Sequence, residues 1–392
     1  PMLIMPPENA GDASEDATQA CSHFSVWGDA TADGKMIAGL NVDQGWNVGA
    51  YTSVVIAHPA EGHAFIMCPP WAGVAGASFA LNDAGLALTG SGGMGSREED
   101  RSFDVDPFAV KLEVMLHCSS AEEAKDYYLD LHPCSAENAQ FFDGADAFMI
   151  EYTPAIHAVR KAGDHGEQDY LIATNYFIDE EASAANYQDE YMGGLWDSIP
   201  RYNTYERLIK ENYGEIDVEY VKSMLGCSKY WDGEKWVEDT LDQMPFEDPR
   251  DLWSPEARDF MYKTIMSNIA VPEDATVHFM SGQSDTLMSV IPYATGTYCA
   301  LTLDSDVSMM ATGAYIEAED RIWWAAKTIE EAEGESKVSD VQLLEDARSA
   351  LWRGFNCLNN ARVAEGDDAL GWFGKALTRF CEAQAFASIV TK

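Results

Sequence analysis

The chain has 392 residues, 46% hydrophobic and 23% charged, an ordinary globular balance with enough length to bury a large core. Its 66 acidic and 25 basic residues leave a net charge of −41, a field that repels phosphate backbones and argues against a nucleic-acid partner. No stretch approaches the roughly 18 consecutive apolar residues of a membrane helix.

The acid is spread along the chain rather than gathered in a tail. That pattern reads as a solvated acidic shell suited to salt, with attraction of a cationic substrate as the lesser alternative. Residues 1–20 lack the charged start and apolar centre of a signal peptide. Pro6, Pro7, Gly11 and the run Asp12, Glu15, Asp16 read as a flexible leader.

From Cys21 to about residue 110 the pattern is strand and turn. Stretches 22–27 and 35–40 flank Asp33-Gly34, a dipeptide that closes tight hairpins. Stretches 53–57 and 63–67 flank a turn at 59–62, and 78–81 and 86–89 flank Asn82-Asp83-Ala84-Gly85. Short strands joined by tight turns imply antiparallel pairing rather than a βαβ series. Ser120-Ala121-Glu122-Glu123 is a capping box opening a helix to about residue 131. Strands are expected at 147–152, 170–174, 276–280 and 298–303. Helices are expected at 201–212, 216–226 and 255–267, the last opened by Ser254-Pro255.

From about residue 314 the pattern is helical throughout. Ser339-Asp340-Val341-Gln342 is a second capping box; Leu344, Ala347, Leu351, Phe355 and Leu358 make one stripe, and Leu370, Phe373, Leu377 and Phe380 another. These read as packing faces against the sheet body or a partner subunit, so a homo-oligomer through the tail is one expectation. The expected organisation is a leader over 1–20, a body over 21–313 and a helical extension over 314–392, packed on the same body. The eight cysteines include no CxxC pair, and His117, Cys118, His132 and Cys134 match no zinc spacing. Neither a metal nor another cofactor is expected. The segment Gly90-Ser91-Gly92-Gly93-Met94-Gly95 satisfies GxGxxG, but Ser-Arg-Glu-Glu-Asp-Arg follows it instead of an apolar helix, which argues against dinucleotide binding.

The segment 21–43 carries the chemistry. It places a cysteine at the start of one strand and Asn41-Val42-Asp43 at the end of the returning strand, so Asp43 should lie near Cys21. The pattern Cys-Ser-x-Phe, Ala-Thr-x-Asp-Gly-Lys, Gly-x-Asn-x-Asp resembles the N-terminal-nucleophile hydrolases, specifically the acyl-CoA:6-aminopenicillanate acyltransferase-like branch. The resemblance continues through Leu81 to Thr89, Asp143 to Glu151, Ala173-Thr174-Asn175-Tyr176-Phe177 and Ser198-Ile199-Pro200-Arg201-Tyr202. It covers about residues 21–205 and loosens beyond 210.

The resemblance implies an α+β fold, an αββα four-layer sandwich of two antiparallel sheets, to which the helical tail is an extension. It also implies cleavage of Ala20–Cys21, with Cys21 as nucleophile. Its own α-amine, of pKa near 7.7–8.0, would then accept the thiol proton. Asp43 would orient the amine or thiol, and Asn175 would donate to the oxyanion. Arg201 would orient Asp43 or a substrate carboxylate, and a backbone N–H of the Gly92-Gly93 loop would be a second oxyanion donor. None of the eight histidines need be catalytic. His23 reads as a strand-face residue rather than a base. Relatives carry Arg or Gln where this chain has Leu40, and commonly Gly where it has Ala20.

The expected substrate is a small molecule with a linear, non-peptide amide bond, and acyl-CoA or an amine acceptor belongs to the same chemistry. A dipeptidase, a bile-salt hydrolase, a phospholipase-B-like relative or a non-catalytic protein on the same scaffold remain alternatives, and the compartment stays open.

Overall fold

The structure, a computed structural model, describes residues 20–45, 52–69, 78–92, 105–185, 192–238, 262–281, 293–294, 298–305 and 341–363, with scattered positions between 325 and 387. The leader over 1–19, Gly93 and Ser339-Asp340 of the second capping box lie outside the described residues.

Two antiparallel sheets dominate. One is six-stranded. It contains β1 (Ala20–Val26), β2 (Ile37–Gly45), β10 (Tyr170–Ala173), β13 (Tyr262–Val271), β14 (Thr276–Ser281) and β15 (Cys299–Leu301), in the order β10-β1-β2-β13-β14-β15. The other is a seven-stranded meander in chain order. Its strands are β3 (Val55–Ala57), β4 (Phe65–Met67), β5 (Phe79–Asn82), β6 (Ala87–Gly92), β7 (Glu137–Phe142), β8 (Ala147–Tyr152) and β9 (His157–Arg160). A small hairpin, β11 (Lys229–Trp231) with β12 (Trp236–Glu238), stands apart.

Strand alternation sorts the side chains into layers. Along β2, Ala38, Leu40 and Val42 join Met36 in the core between the sheets, with Ile66, Phe79, Leu81 and Phe142 from the facing meander. Ile37 faces the other way, onto α4 (Met192–Glu211) and α5 (Val218–Leu225), through Tyr205, Ile209, Val221 and Leu225. On the meander's outer face Leu86, Leu88 and Phe141 pack against α1 (Pro107–His117) and α2 (Ala121–Asp130). The layers therefore run α4/α5, six-stranded sheet, meander, α1/α2, which is the expected αββα sandwich. Each large side chain buried in these layers contributes about 1.5–3 kcal/mol.

Helix starts follow local chemistry. The Asp106 carboxylate accepts from Phe108 N with Pro107 in the first turn, a start signal not used in reading the sequence. Ser120 Oγ accepts from Glu123 N as the capping box requires, while Glu123 reaches back to Ser119 N, one residue earlier than expected. The β1–β2 connection is also longer than a tight hairpin. A 3-10 turn, Gly28–Ala30, precedes Asp33-Gly34, and Asp169 Oδ2 accepts from Asp29 N across it.

The expected helix over 255–267 is corrected: from Tyr262 onward this segment is the strand β13, paired with β2 on one side and β14 on the other. Both faces of β13 are buried, and its register slips at a bulge between Thr264 and Met266. A doubly covered strand loses its alternating pattern, and Tyr262, Met266, Ile269 and Ala270 then fall at helix-like spacing.

In the tail, α6 (Val341–Val363) is helical as expected. Its Leu344, Ala347, Ala350, Leu358 and Ala361 share a cluster with Ala325, Ile329, Phe380 and Ala383, whose buried members all come from residues 325–387. The helix approaches its neighbour so closely that a Cβ on Gly354 would lie 2.4 Å from the Phe380 ring.

Candidate active site

Cys21 stands at the start of β1 with its side chain in the core between the sheets. Register places Cys21 opposite Val42 and Ala20 opposite Asp43, so the hairpin return brings Asp43 beside the Ala20–Cys21 bond. Asp43 points into the α4/α5 side of its sheet and is held there by Thr264 Oγ1, which donates to Oδ1 at 2.7 Å.

Asn175, just past β10, and Arg201, on α4, converge on the backbone of Cys21. Cys21 N–H donates to Asn175 Oδ1 at 2.9 Å, and Arg201 Nη1 donates to the Cys21 carbonyl oxygen. The same guanidinium donates to Ser22 Oγ at 2.9 Å, to Asn175 Oδ1 at 2.9 Å and to Ser198 Oγ at 3.0 Å. Asn175 Nδ2 donates to Gly92 O at 2.9 Å. With donors on one side of the amide and a carbonyl on the other, the side-chain orientation is fixed by its partners.

The loop carrying Asn175 is stitched to the meander. Asn138 Nδ2 and Ser91 Oγ both donate to Thr174 O, and Thr174 Oγ1 donates to Ser198 O at 3.0 Å. Further along, just before α3 (Glu180–Ala185), the Glu151 carboxylate accepts from Ile178 N and Asp179 N. Glu151 is itself paired at 3.1 Å with Arg160, whose other arm pairs with Glu167 at 2.9 Å. All three side chains are buried. Arg160→Met would strand two buried carboxylates, and the expected loss is about 3–5 kcal/mol of unfolding free energy, measured by urea titration.

Behind β6 lies a second buried pair. Lys111 Nζ donates to Glu137, which also accepts from Tyr128 OH. A Cβ on Gly90 would lie 3.1 Å from Lys111 Nζ and 2.8 Å from Asn138 O. The glycine at 90 is thus required by packing, while Gly92 presents its carbonyl to Asn175.

Electrostatics in the intact chain suppress the thiol. Burial, and then the Asp43 carboxylate, push Cys21 up to about 12; the Asp43 backbone amide and the Arg201 and Lys111 charges pull the other way. Burial brings His23 down to about 3. Its ring is neutral at pH 7, with Nδ1 3.4 Å from Gln140 Oε1, which suits a strand-face residue better than a base.

Sequence reasoning named Cys21, Asp43, Asn175 and Arg201, and these four lie together. It missed Ser22, Ser198 and Thr264. Ser22 and Ser198 do stand inside the quoted motifs; Thr264 sat in the segment misread as helix.

A model of the acyl-coenzyme A:6-aminopenicillanic acid acyl-transferase family matches residues 31–243, more than half of the chain and a span that begins after Cys21. No curated protein matches. Two variants of the conjugated bile acid hydrolase from Clostridium perfringens are similar solved structures, each 12% identical over 73% of this chain and 95% of the other, with TM-scores of 0.44 and 0.41. The matched span holds Asp43, Asn175 and Arg201, and the chain belongs to the acyl-coenzyme A:6-aminopenicillanic acid acyl-transferase family.

Proposed function

We propose that the protein is an amide hydrolase or acyltransferase that works through a Cys21 acyl-enzyme after cleavage of its own Ala20–Cys21 bond. The observation that carries this reading is the double grip on the backbone of one cysteine. Asn175 holds the nitrogen of Cys21 and Arg201 its carbonyl oxygen. Two buried polar side chains, themselves joined by a hydrogen bond, converge on the backbone of one residue, an expensive arrangement for an inert thiol.

In cleavage, Sγ attacks the Ala20 carbonyl carbon. The Ala20–Cys21 C–N bond breaks, nitrogen takes the proton, and water hydrolyses the thioester to free the leader. Cys21 then carries an amine where it had an amide. That amine donates to Asn175 Oδ1 and turns its lone pair toward the thiol, so one residue supplies nucleophile and base. Turnover repeats the chemistry on a substrate: Sγ attacks the acyl carbon, the amine protonates the leaving nitrogen, and water or an amine acceptor takes the acyl group. A small molecule with a linear amide bond is the expected substrate, and an acyl-CoA thioester would enter by the same attack.

The test couples mass to thiol reactivity. With pKa about 12 in the intact chain, roughly one thiol in 10⁴ is ionised at pH 8. The intact form should therefore resist iodoacetamide at Cys21. The mature form should begin at Cys21 by intact mass and alkylate there near neutral pH. A chain that stays whole, with Cys21 inert under every buffer in which N-acyl amides are turned over, would overturn the reading.

A further inference from the structure

A second set of groups stands at the far end of β6, about 17 Å from Gly92 at roughly 3.3 Å per strand residue. His63 Nδ1 lies 2.5 Å from Asp83 Oδ1, and His63 Nε2 lies 3.0 Å from Ser119 Oγ. Asp83 comes from the β5–β6 turn, Ser119 from the α1–α2 junction and His63 from the approach to β4.

Each member is fixed by its own backbone. His63 N–H donates to Leu116 O at 3.0 Å, and Asp83 N–H donates to Ala64 O at 2.8 Å. Ser119 N–H donates to Glu123 Oε2 at 2.8 Å. The second Asp83 oxygen accepts from Ala64 N at 3.1 Å, which locks the carboxylate plane. Gly62, at φ +88°, lets the chain pass over the end of α1, where a Cβ would sit 2.6 Å from Leu116 O. Asn82 Nδ2 ties the turn to the same helix end through Met115 O and Cys118 O.

The chemistry follows from the order of contacts. In the neutral tautomer that donates Nδ1–H to Asp83, Nε2 carries the lone pair and faces the Ser119 hydroxyl. The histidine and aspartate side chains are 27% and 44% exposed, and Ser119 is exposed as well, so an acyl donor can reach the oxygen. We propose that Ser119, His63 and Asp83 form a second acyl-transfer centre, a serine esterase site independent of Cys21.

Its substrate class is set by what surrounds the serine. Ser119 N–H is committed to Glu123, Ala121 N–H to Asp143 Oδ2 at 2.8 Å, and Glu123 N–H to Ser120 Oγ at 3.3 Å. A missing oxyanion donor costs about 10²–10³ in rate, so unactivated amides are out of reach. Aryl esters of small acids, whose phenolate leaves readily, are within it. Ser119 Oγ bonds to the acyl carbon as its proton passes to His63 Nε2; the C–O bond to the phenolate then breaks, and His63 gives that proton to the leaving oxygen. Water then attacks the acyl-serine, His63 takes and returns the proton, and the acid leaves.

The test uses the full chain carrying Cys21→Ala, with p-nitrophenyl acetate as substrate and an alkyl fluorophosphonate as label, which loses fluoride on capture. The expected result is p-nitrophenol release above buffer and the label's mass on the peptide containing Ser119. Ser119→Ala, at an exposed position, should abolish both, and His63→Gln should lower both about 10²-fold. Labelling of wild-type chain, mapped by peptide, gives the same readout whether or not Cys21→Ala folds well. Absence of label from Ser119, or labelling that His63→Gln leaves unchanged, overturns the proposal. Neither outcome bears on the Cys21 reading.

Discussion

Cys21→Ala is expected to lower kcat on any amide substrate on the order of 10⁶-fold, the scale seen when a covalent nucleophile is removed from a preformed site. The same substitution should leave Ala20–Cys21 uncut, because in the proposed mechanism cleavage and turnover share one attacking atom. Stability should change little by comparison. The side chain is 5% exposed in the core between the sheets, and losing one buried sulfur there costs about 1 kcal/mol. Intact mass, turnover of an N-acyl amide panel and a thermal melt separate these effects. Turnover that survives in a folded, uncut Cys21→Ala chain would remove the cysteine from the mechanism.

The gathering of Asp43, Asn175 and Arg201 around Cys21 was legible because the motifs that carry them are local. Cys21 and Asp43 are joined by an antiparallel return whose strands can be read directly, although its connection is longer than the tight turn expected, and the register carries the rest. The meander was legible where its turns hold Gly, Asn and Asp, as at residues 82–85 between β5 and β6. It was not legible at β7, whose inward positions Asn138 and Gln140 are polar and break the apolar alternation a strand usually shows. Those polar residues are buried against polar partners: Asn138 donates to Thr174 O and Gln140 to Ser25 Oγ. The misread β13 fails for the opposite reason, being covered on both faces. Thr264 and the Arg160 pairings were beyond reach. They depend on single side chains meeting across sheets or strands, and no spacing rule encodes a contact 221 residues apart.

Two substitutions at Asn175 separate its acceptor from its donor face. In the structure Oδ1 accepts from Cys21 N and Arg201 Nη2, while Nδ2 gives one of its two hydrogens to Gly92 O. Asn175→Ala removes all three bonds and leaves buried donors on Cys21 and Arg201, each at a cost of about 1–3 kcal/mol. It should impair both self-cleavage and turnover. Asn175→Asp keeps an acceptor for the two donors and an added attraction for the Arg201 charge, so cleavage should survive. It has no N–H to offer an oxyanion, and turnover should fall about 10²–10³-fold with little change in KM. Single-turnover kinetics on the mature forms, with the cleaved fraction read by mass, distinguish the two. Equal turnover by the Asp variant and the wild type would assign Asn175 to anchoring the amine alone, and the oxyanion would then have to be met from the Gly92 side of the site.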